Sequence, residues 1–571
     1  MRPTQINIVG KSKRIFNTLD LRGSGRYGDL IHRIEAGAII QLSDKVEKAE
    51  DLNNLIQYLV RSGIPRSDVR IKYPNQAATE MLREKISSNL RESGLTFGAD
   101  VAEHDAGLRR YFITTDAYTL IQTGQRHLVV GPKGSGKSAI LRELSKTIGH
   151  CLVITPEHYA TDVLESLKKS PVGTDLTAYV TTWKYTLLIE IFRQLIKTGE
   201  GDSAALGEIR KYLVAHNHLS GDLSLFERFM AYLRRISTIR GKIGPTGAEL
   251  GLDTTKELEK LFKMDELLAL IPALRRALRR KTFTVFIDEL DQSWNNSETA
   301  NRFLVSLLTA AIQLRGIDEN LHVIVFLRSE IFDLLKPTIA QLDKLRSDIE
   351  QIQWSSRELK NLIVSRAFDS IGINPDRTGA DSALSVLFPG VVPGCNAPLF
   401  DYVLSRTSHR PREVIQFSNL ILKVARQLDA ASIIPDAVLR AEEEFSAWKL
   451  EYVVSENLFI YPRLDALFDR FRGQKKKWSQ NELDSFLTEV LLNMDEDNDA
   501  PPWLREILEP SKLLEVLYQL EVFGIERPGV PTPDGREWEG YDFAFSRPKA
   551  RPEQSPSFLF HPGLWKTLEL I

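Results

Sequence analysis

Gly131-Pro132-Lys133-Gly134-Ser135-Gly136-Lys137-Ser138 is the stretch from which this chain is best read. It fits G-x-x-x-x-G-K-[ST] without a mismatch, follows the apolar run His127-Leu128-Val129-Val130 and leads into Ala139-Ile140-Leu141-Arg142-Glu143-Leu144. A strand before and a helix after are the context that a phosphate-binding loop requires. Glycines let the backbone turn back with its N–H groups inward, and the opening helix adds the positive end of its dipole. The loop from Gly131 to Ala139 is therefore expected to cradle the phosphates of a nucleoside triphosphate. Lys137 is expected to reach the β- and γ-phosphates, and the Ser138 hydroxyl to bind Mg²⁺.

Two apolar runs further on complete the chemistry. Phe283-Thr284-Val285-Phe286-Ile287 reads as a strand buried on both faces and ends in Asp288-Glu289. Leu321-His322-Val323-Ile324-Val325-Phe326-Leu327 reads the same way and ends in Arg328-Ser329. Hydrolysis of a triphosphate needs a held Mg²⁺, an oriented water and positive charge on the leaving phosphoryl group. Asp288 is expected to partner Ser138 at the metal, and Glu289 to act as general base. Arg328 either senses the γ-phosphate or pairs with Glu330 or Asp333. Arg410-Pro411-Arg412-Glu413 opens a helix, where Arg410 and Arg412 either close over the phosphates or are surface charges.

Composition narrows the class. The chain has 571 residues, 43% of them hydrophobic and 26% charged, so several globular domains are expected. A formal net charge of −2 supplies no global attraction for nucleic acid or membrane, and any such binding must be local. Two cysteines, Cys151 and Cys395, in no C-x-x-C context argue against a disulfide framework and structural zinc. No apolar run is long enough for a membrane span and the first residues lack a signal-type core, so a cytoplasmic protein is expected. The densest basic run, Arg275-Arg276-Ala277-Leu278-Arg279-Arg280-Lys281, reads first as a solvated helix face. An arginine finger or a nucleic-acid contact is the functional alternative. Lys475-Lys476-Lys477-Trp478 leads into the capping box Ser479…Glu482 and could touch DNA.

Strands alternating with helical segments imply an α/β parallel sheet whose ligands gather at the strands' carboxyl ends. Residues 1–100 read as a small α/β domain, with strands at Ile6–Val9 and Ala38–Leu42, a glycine turn Gly23-Ser24-Gly25, a helix near Asp51–Ser62 and a strand-helix pair around Val69–Leu90. Residues 101–350 hold the P-loop core with a helical insert at about 158–280. There Trp183, Leu187, Leu188, Ile191, Phe192 and Leu195 form a core stripe. Residues 351–445 read as a helical lid that begins with the capping box Ser355…Glu358, and 446–571 as an α-rich domain of winged-helix type.

Four segments carry a family resemblance: GPKGSGKS at 131–138, VFIDELD at 285–291, VIVFLRSEIFD at 323–333 and HRPREVIQFSN at 409–419. They resemble the additional-strand P-loop ATPases of the AAA+/STAND branch, which includes origin-recognition-like ATPases. The run FITTDAYTLIQTGQRHLVVGPKGSGKSAI at 112–140 resembles a bacterial group linked to DNA repair or phage defence. The resemblance implies Walker A roles for Lys137 and Ser138, Walker B roles for Asp288 and Glu289, sensor 1 at Arg328 and sensor 2 at Arg410 or Arg412. It implies an ATP-dependent switch, a homo-oligomer and a DNA or protein trigger. An ATP-dependent DNA loader or repair factor is the rival reading, and a small-molecule kinase a third.

Overall fold

The computed structural model describes residues 5–9, 15–20, 39–42, 70–72, 75–155, 176–219, 227–229, 231–232, 263–279, 281–291, 294–339, 346–373, 380–496, 501–530 and 535–571. At the N-terminus, β1 (Gln5–Val9), β2 (Ile15–Asp20), β3 (Ile39–Leu42) and β4 (Arg70–Lys72) form one sheet in the order β2-β1-β3-β4. β1 is antiparallel to both neighbours, whereas β3 and β4 run parallel. Helix α1 (Asn75–Arg91) follows. The expected helix near Asp51–Ser62 and the Gly23-Ser24-Gly25 turn lie outside the described residues.

Residues 114–353 together with 456–464 make one compact unit. Its elements run α2 (Asp116–Gln122), β5 (Leu128–Gly131), α3 (Lys137–Thr147), β6 (Cys151–Ile154), α4 (Leu176–Thr198), α5 (Ser203–Ala215), α6 (Met264–Leu268), α7 (Ile271–Leu278), β7 (Phe283–Ile287), α8 (Glu298–Arg315), β8 (Leu321–Arg328), α9 (Ser329–Leu335) and β9 (Ile349–Gln351). The five strands are all parallel, in the order β6-β7-β8-β5-β9. β8 thus lies between the strand that feeds the glycine loop and the strand that ends in Asp288, which is the additional strand the resemblance implies. Every residue of β5 and β7 is buried, as strands covered on both faces require. The stripe on α4 is core: Trp183, Leu187, Leu188, Ile191, Phe192 and Leu195 are all buried. Trp183 sets its ring 4.5 Å from Phe229 and 5.0 Å from Phe303 of α8. Each such side chain contributes roughly 1.5–3 kcal/mol on burial, so the insert fixes the sheet rather than hanging from it.

The second unit holds the described residues up to Ile113 with 354–455 and 465–571. Its helices α10 (Ser356–Ser370), α11 (Ala380–Leu387), α12 (Leu399–Ser405), α13 (Pro411–Gln427) and α14 (Pro435–Glu456) form a bundle. Ser355 caps α10 by accepting from Glu358 N, while the Glu358 carboxylate accepts from Ser355 N at 2.8 Å. Ile86 and Leu90 of α1 join the bundle core with Leu359 and Ile363. A buried Arg366–Asp105 ion pair, 2.9 Å long, ties the segment after α1 to α10.

α14 runs unbroken through 445, so the lid and the C-terminal segment join within a helix. Beyond it come α15 (Leu464–Asp469), β10 (Lys477–Ser479), α16 (Gln480–Glu496), α17 (Pro502–Arg505), α18 (Pro510–Gln519), β11 (Phe523–Glu526), β12 (Tyr541–Asp542) and β13 (Ser557–Phe560). The strands form an antiparallel sheet in the order β10-β13-β11-β12. Helix, short strand, three further helices and an antiparallel sheet is the element order here, where the sequence leads one to expect a winged helix. Among the described residues, no helix is long and apolar enough to cross a membrane.

Candidate nucleotide site

β5 delivers the chain into the loop, and the loop's shape depends on glycine. Gly134 and Gly136 hold φ of 76° and 97°, a region that side-chain-bearing residues rarely enter. A Cβ on Gly131 would stand 2.6 Å from the Ser135 hydroxyl, so a larger residue here requires the Ser135 side chain to shift. Gly136 then caps α3, whose first residues are Lys137, Ser138 and Ala139. The partly buried start of α3 and the turn of the loop before it are the ingredients of an anion cradle.

Lys137 folds over this cradle, donating from Nζ to the carbonyls of Gly131 at 2.7 Å and Pro132 at 2.9 Å. Burial pushes its pKa down, while Glu330, Asp288 and Asp291 pull it up. Burial outweighs the three carboxylates, so the Lys137 pKa lies below its ordinary value. Ser138 Oγ donates to Asp288 Oδ2 across 3.2 Å. Asp288 itself is buried, and burial lifts its carboxyl up to about 6 against the pull of the Glu289 N–H and the Lys137 ammonium. A buried carboxylate beside a hydroxyl is a donor set for a hard cation that keeps waters and phosphate oxygens, as Mg²⁺ does.

Glu289 is placed by backbone strain. Its φ is 59°, uncommon for a residue with a side chain, and its N–H donates to Asp288 Oδ1 at 2.8 Å. One carboxylate thus accepts from both the Ser138 hydroxyl and the Glu289 amide, fixing Asp288 and turning the chain sharply at Glu289. Arg328, at the end of β8, makes its ion pair with Asp291, a residue that the sequence reading did not single out. Of Glu330 and Asp333, the partners weighed as the alternative to a γ-phosphate contact, Asp333 meets Lys336 at 3.0 Å.

Pro132, Lys133 and Ser135 complete the loop, and Lys133 N donates to a side chain from far along the chain, Glu456 Oε1, at 2.9 Å. No spacing rule points to that acceptor. Arg410 and Arg412, at the start of α13, belong to the other unit. Arg410 stands 3.3 Å from Glu521 and 3.8 Å from Glu413, and Arg412 lies 3.8 Å from Asp100. The basic run before β7 spreads over a surface: Arg275 donates to the Ile317 carbonyl, Arg276 pairs with Glu208 at 2.7 Å, and Lys281 with Glu200 at 2.9 Å. In the winged-helix part, Lys475 pairs with Glu482, while Lys476 and Lys477 lie over Trp565 and Tyr541.

The family model described as the FunZ-associated C-terminal helical domain matches residues 357–454, the span of α10 to α14. Among curated proteins, the chain is similar to the "Putative transposon gamma-delta 80.3 kDa protein" of Escherichia coli (strain K12). The two are 23% identical over 509 residues, which is 84% of this chain and 68% of that protein. Among solved structures, it is similar to the Aeropyrum pernix ORC1 protein in complex with DNA, at TM-score 0.30 and 14% identity, over 74% of this chain and 85% of that one. It is also similar to the Aeropyrum pernix ORC2 protein in its ADPNP–ADP complexes, at TM-score 0.30 and 14% identity, over 81% of this chain and 89% of that one. Likenesses this distant say nothing of what the present chain binds.

Proposed function

We propose that the chain is an ATP-binding and ATP-hydrolysing switch. The observation that carries this reading is the Ser138–Asp288 hydrogen bond, 3.2 Å long, with Lys137 on one side and Glu289 on the other. Mg²⁺, when bound, would supply charge neutralisation during hydrolysis. Ser138 Oγ and Asp288 would hold it. The loop amides and Lys137 Nζ bind and orient the phosphate chain. Glu289 orients the attacking water and takes its proton at a carboxylate oxygen. Arg328 places positive charge at the end of the adjacent strand, held ready by Asp291. The domains suggested for the reading are an N-terminal domain over 1–100, the core over 101–350, a lid over 351–445 and a winged-helix domain over 446–571. Lys137→Ala is expected to abolish nucleotide binding, and Glu289→Gln to preserve binding while stopping phosphate release.

In this reading the lid and C-terminal domain change state with the nucleotide, Arg410 or Arg412 senses it, and the assembled form is a homo-oligomer in the cytoplasm. The STAND-like resemblance suggests a setting in antiviral defence or DNA maintenance, and a relative named for a transposon supports DNA. A second reading, a DNA loader or repair factor driven by ATP, is favoured by the winged-helix arrangement of β10, α16, α18 and β13. Duplex DNA binding that weakens steeply with salt, and weakens further in Lys475→Ala/Lys476→Ala/Lys477→Ala, would support it. Salt-independent or absent binding would remove it.

A further inference from the structure

The rim of the phosphate loop carries a contact that the chemistry above leaves unused. Glu456 is the last residue of α14, yet it groups with the phosphate-loop unit, whereas Ser455 before it does not. Its Oε1 accepts the N–H of Lys133 at 2.9 Å across 323 residues of sequence. The turn that follows is closed on itself, with Ile460 N and Tyr461 N both donating to the Asn457 carbonyl at 3.0 and 2.8 Å. Ile460 packs against the buried core of the same unit. The connecting turn 456–464 is therefore docked twice, by a carboxylate on the loop and by an apolar side chain on the core.

The carboxylate is the informative half. The loop gathers positive potential from its amides, the start of α3 and Lys137. Glu456 draws on that same potential from the rim. A nucleoside triphosphate brings a further phosphoryl group and more negative charge to the loop than a diphosphate does, and like charges in a partly desolvated site repel strongly.

We propose that Glu456 is a specificity-determining residue that distinguishes tri- from diphosphate: its carboxylate competes with the terminal phosphate for the loop, so triphosphate frees the 456–464 turn and diphosphate leaves it docked. This rests on the ATP reading above. It gives the switch a physical link, because the turn that responds is the one joining α14 to α15.

The test is calorimetric titration of a non-hydrolysable ATP analogue and of ADP into the full chain, its Glu456→Gln form and its Glu456→Ala form. Hydrogen exchange of residues 456–464 is followed in the wild type with each nucleotide. Glu456→Gln keeps the acceptor oxygen and removes the charge. The expected result is triphosphate binding tightened about tenfold in both variants, ADP binding changed less than about twofold, and faster exchange at 456–464 with triphosphate alone. Equal effects on both nucleotides, with exchange at 456–464 indifferent to the phosphate count, would overturn the proposal while leaving ATP binding intact. A wild type that binds neither nucleotide would overturn the ATP reading and this inference with it. If the variants do not fold, the wild-type exchange decides alone.

Discussion

The Ser138 hydroxyl and the Asp288 carboxylate meet at 3.2 Å although 150 residues separate them in sequence. Two parallel strands bring them together: β5 ends in the loop that carries Ser138, β7 ends at Asp288, and β8 lies between. Because all three strands point the same way, their carboxyl ends gather the loop, the acidic pair and Arg328 along one edge of the sheet.

Gly136 stands at φ 97°, so an added side chain strains the loop. Gly136→Ala is expected to weaken ATP binding about tenfold or more, as an alanine held in this region costs about 1–2 kcal/mol. Titration of the variant against a nucleotide analogue checks it, with unchanged affinity as the contrary result.

Arg328 and Asp291 form a partly buried ion pair, with side chains 22% and 17% exposed. Removing one partner leaves the other poorly solvated. Asp291→Ala is expected to destabilise the phosphate-loop unit by about 1–3 kcal/mol, a figure reduced for the remaining solvent screening. Urea unfolding monitored by tryptophan fluorescence measures it, and an unchanged midpoint would show the pair to be idle.

Lys449 is buried with Glu413 at 2.7 Å and donates to the Ser408 hydroxyl at 2.9 Å. Lys449→Met would remove the nearest cation from the buried Glu413 carboxylate, which keeps the Ser408 N–H at 2.7 Å, and should cost about 3 kcal/mol. Glu413→Leu added to it should recover much of that loss. Non-recovery in the double variant, by chemical denaturation, would mean that packing rather than charge holds α13 to α14.

His409 lies beside that pair, its ring 4.7 Å from Phe545. Burial lowers its pKa to about 4, with Glu413 opposing the shift and Lys449 adding to it. The unfolded chain titrates near 6.5, so between these values it binds more protons than the folded one. The stability tied to His409 is complete above pH 6.5 and is lost as pH falls toward 4, by up to about 3 kcal/mol. Melting temperatures across this range should fall less in His409→Asn than in the wild type.

β5, β7 and β8 were legible because each is an almost unbroken apolar run ending at the site, and the loop because glycine spacing is a local property; β9, Ile349-Glu350-Gln351, carries no such run and gave no signal. The α4 stripe showed in its helical period, and the capping boxes at Ser355 and Ser479 in a three-residue spacing. Ser479 N indeed donates to Glu482 at 2.9 Å. Asp291 follows β7, the neighbouring strand, and so lies outside the local spacing that relates Arg328 to Glu330 and Asp333. Glu456 gives no signal at all, because an acceptor brought from another part of the chain has no periodicity. The left-handed turn at Glu289 was equally invisible, since glutamate carries no preference for that conformation.

The measurement that bears most directly on the central claim follows nucleotide binding and phosphate release together in purified wild type, Lys137→Ala and Glu289→Gln with Mg²⁺ and ATP. The account predicts binding and release in the wild type, no binding in Lys137→Ala, and binding with release slowed about 10²–10⁴-fold in Glu289→Gln. Wild-type protein that neither binds nor hydrolyses ATP, or a Glu289→Gln form that releases phosphate at the wild-type rate, would contradict it.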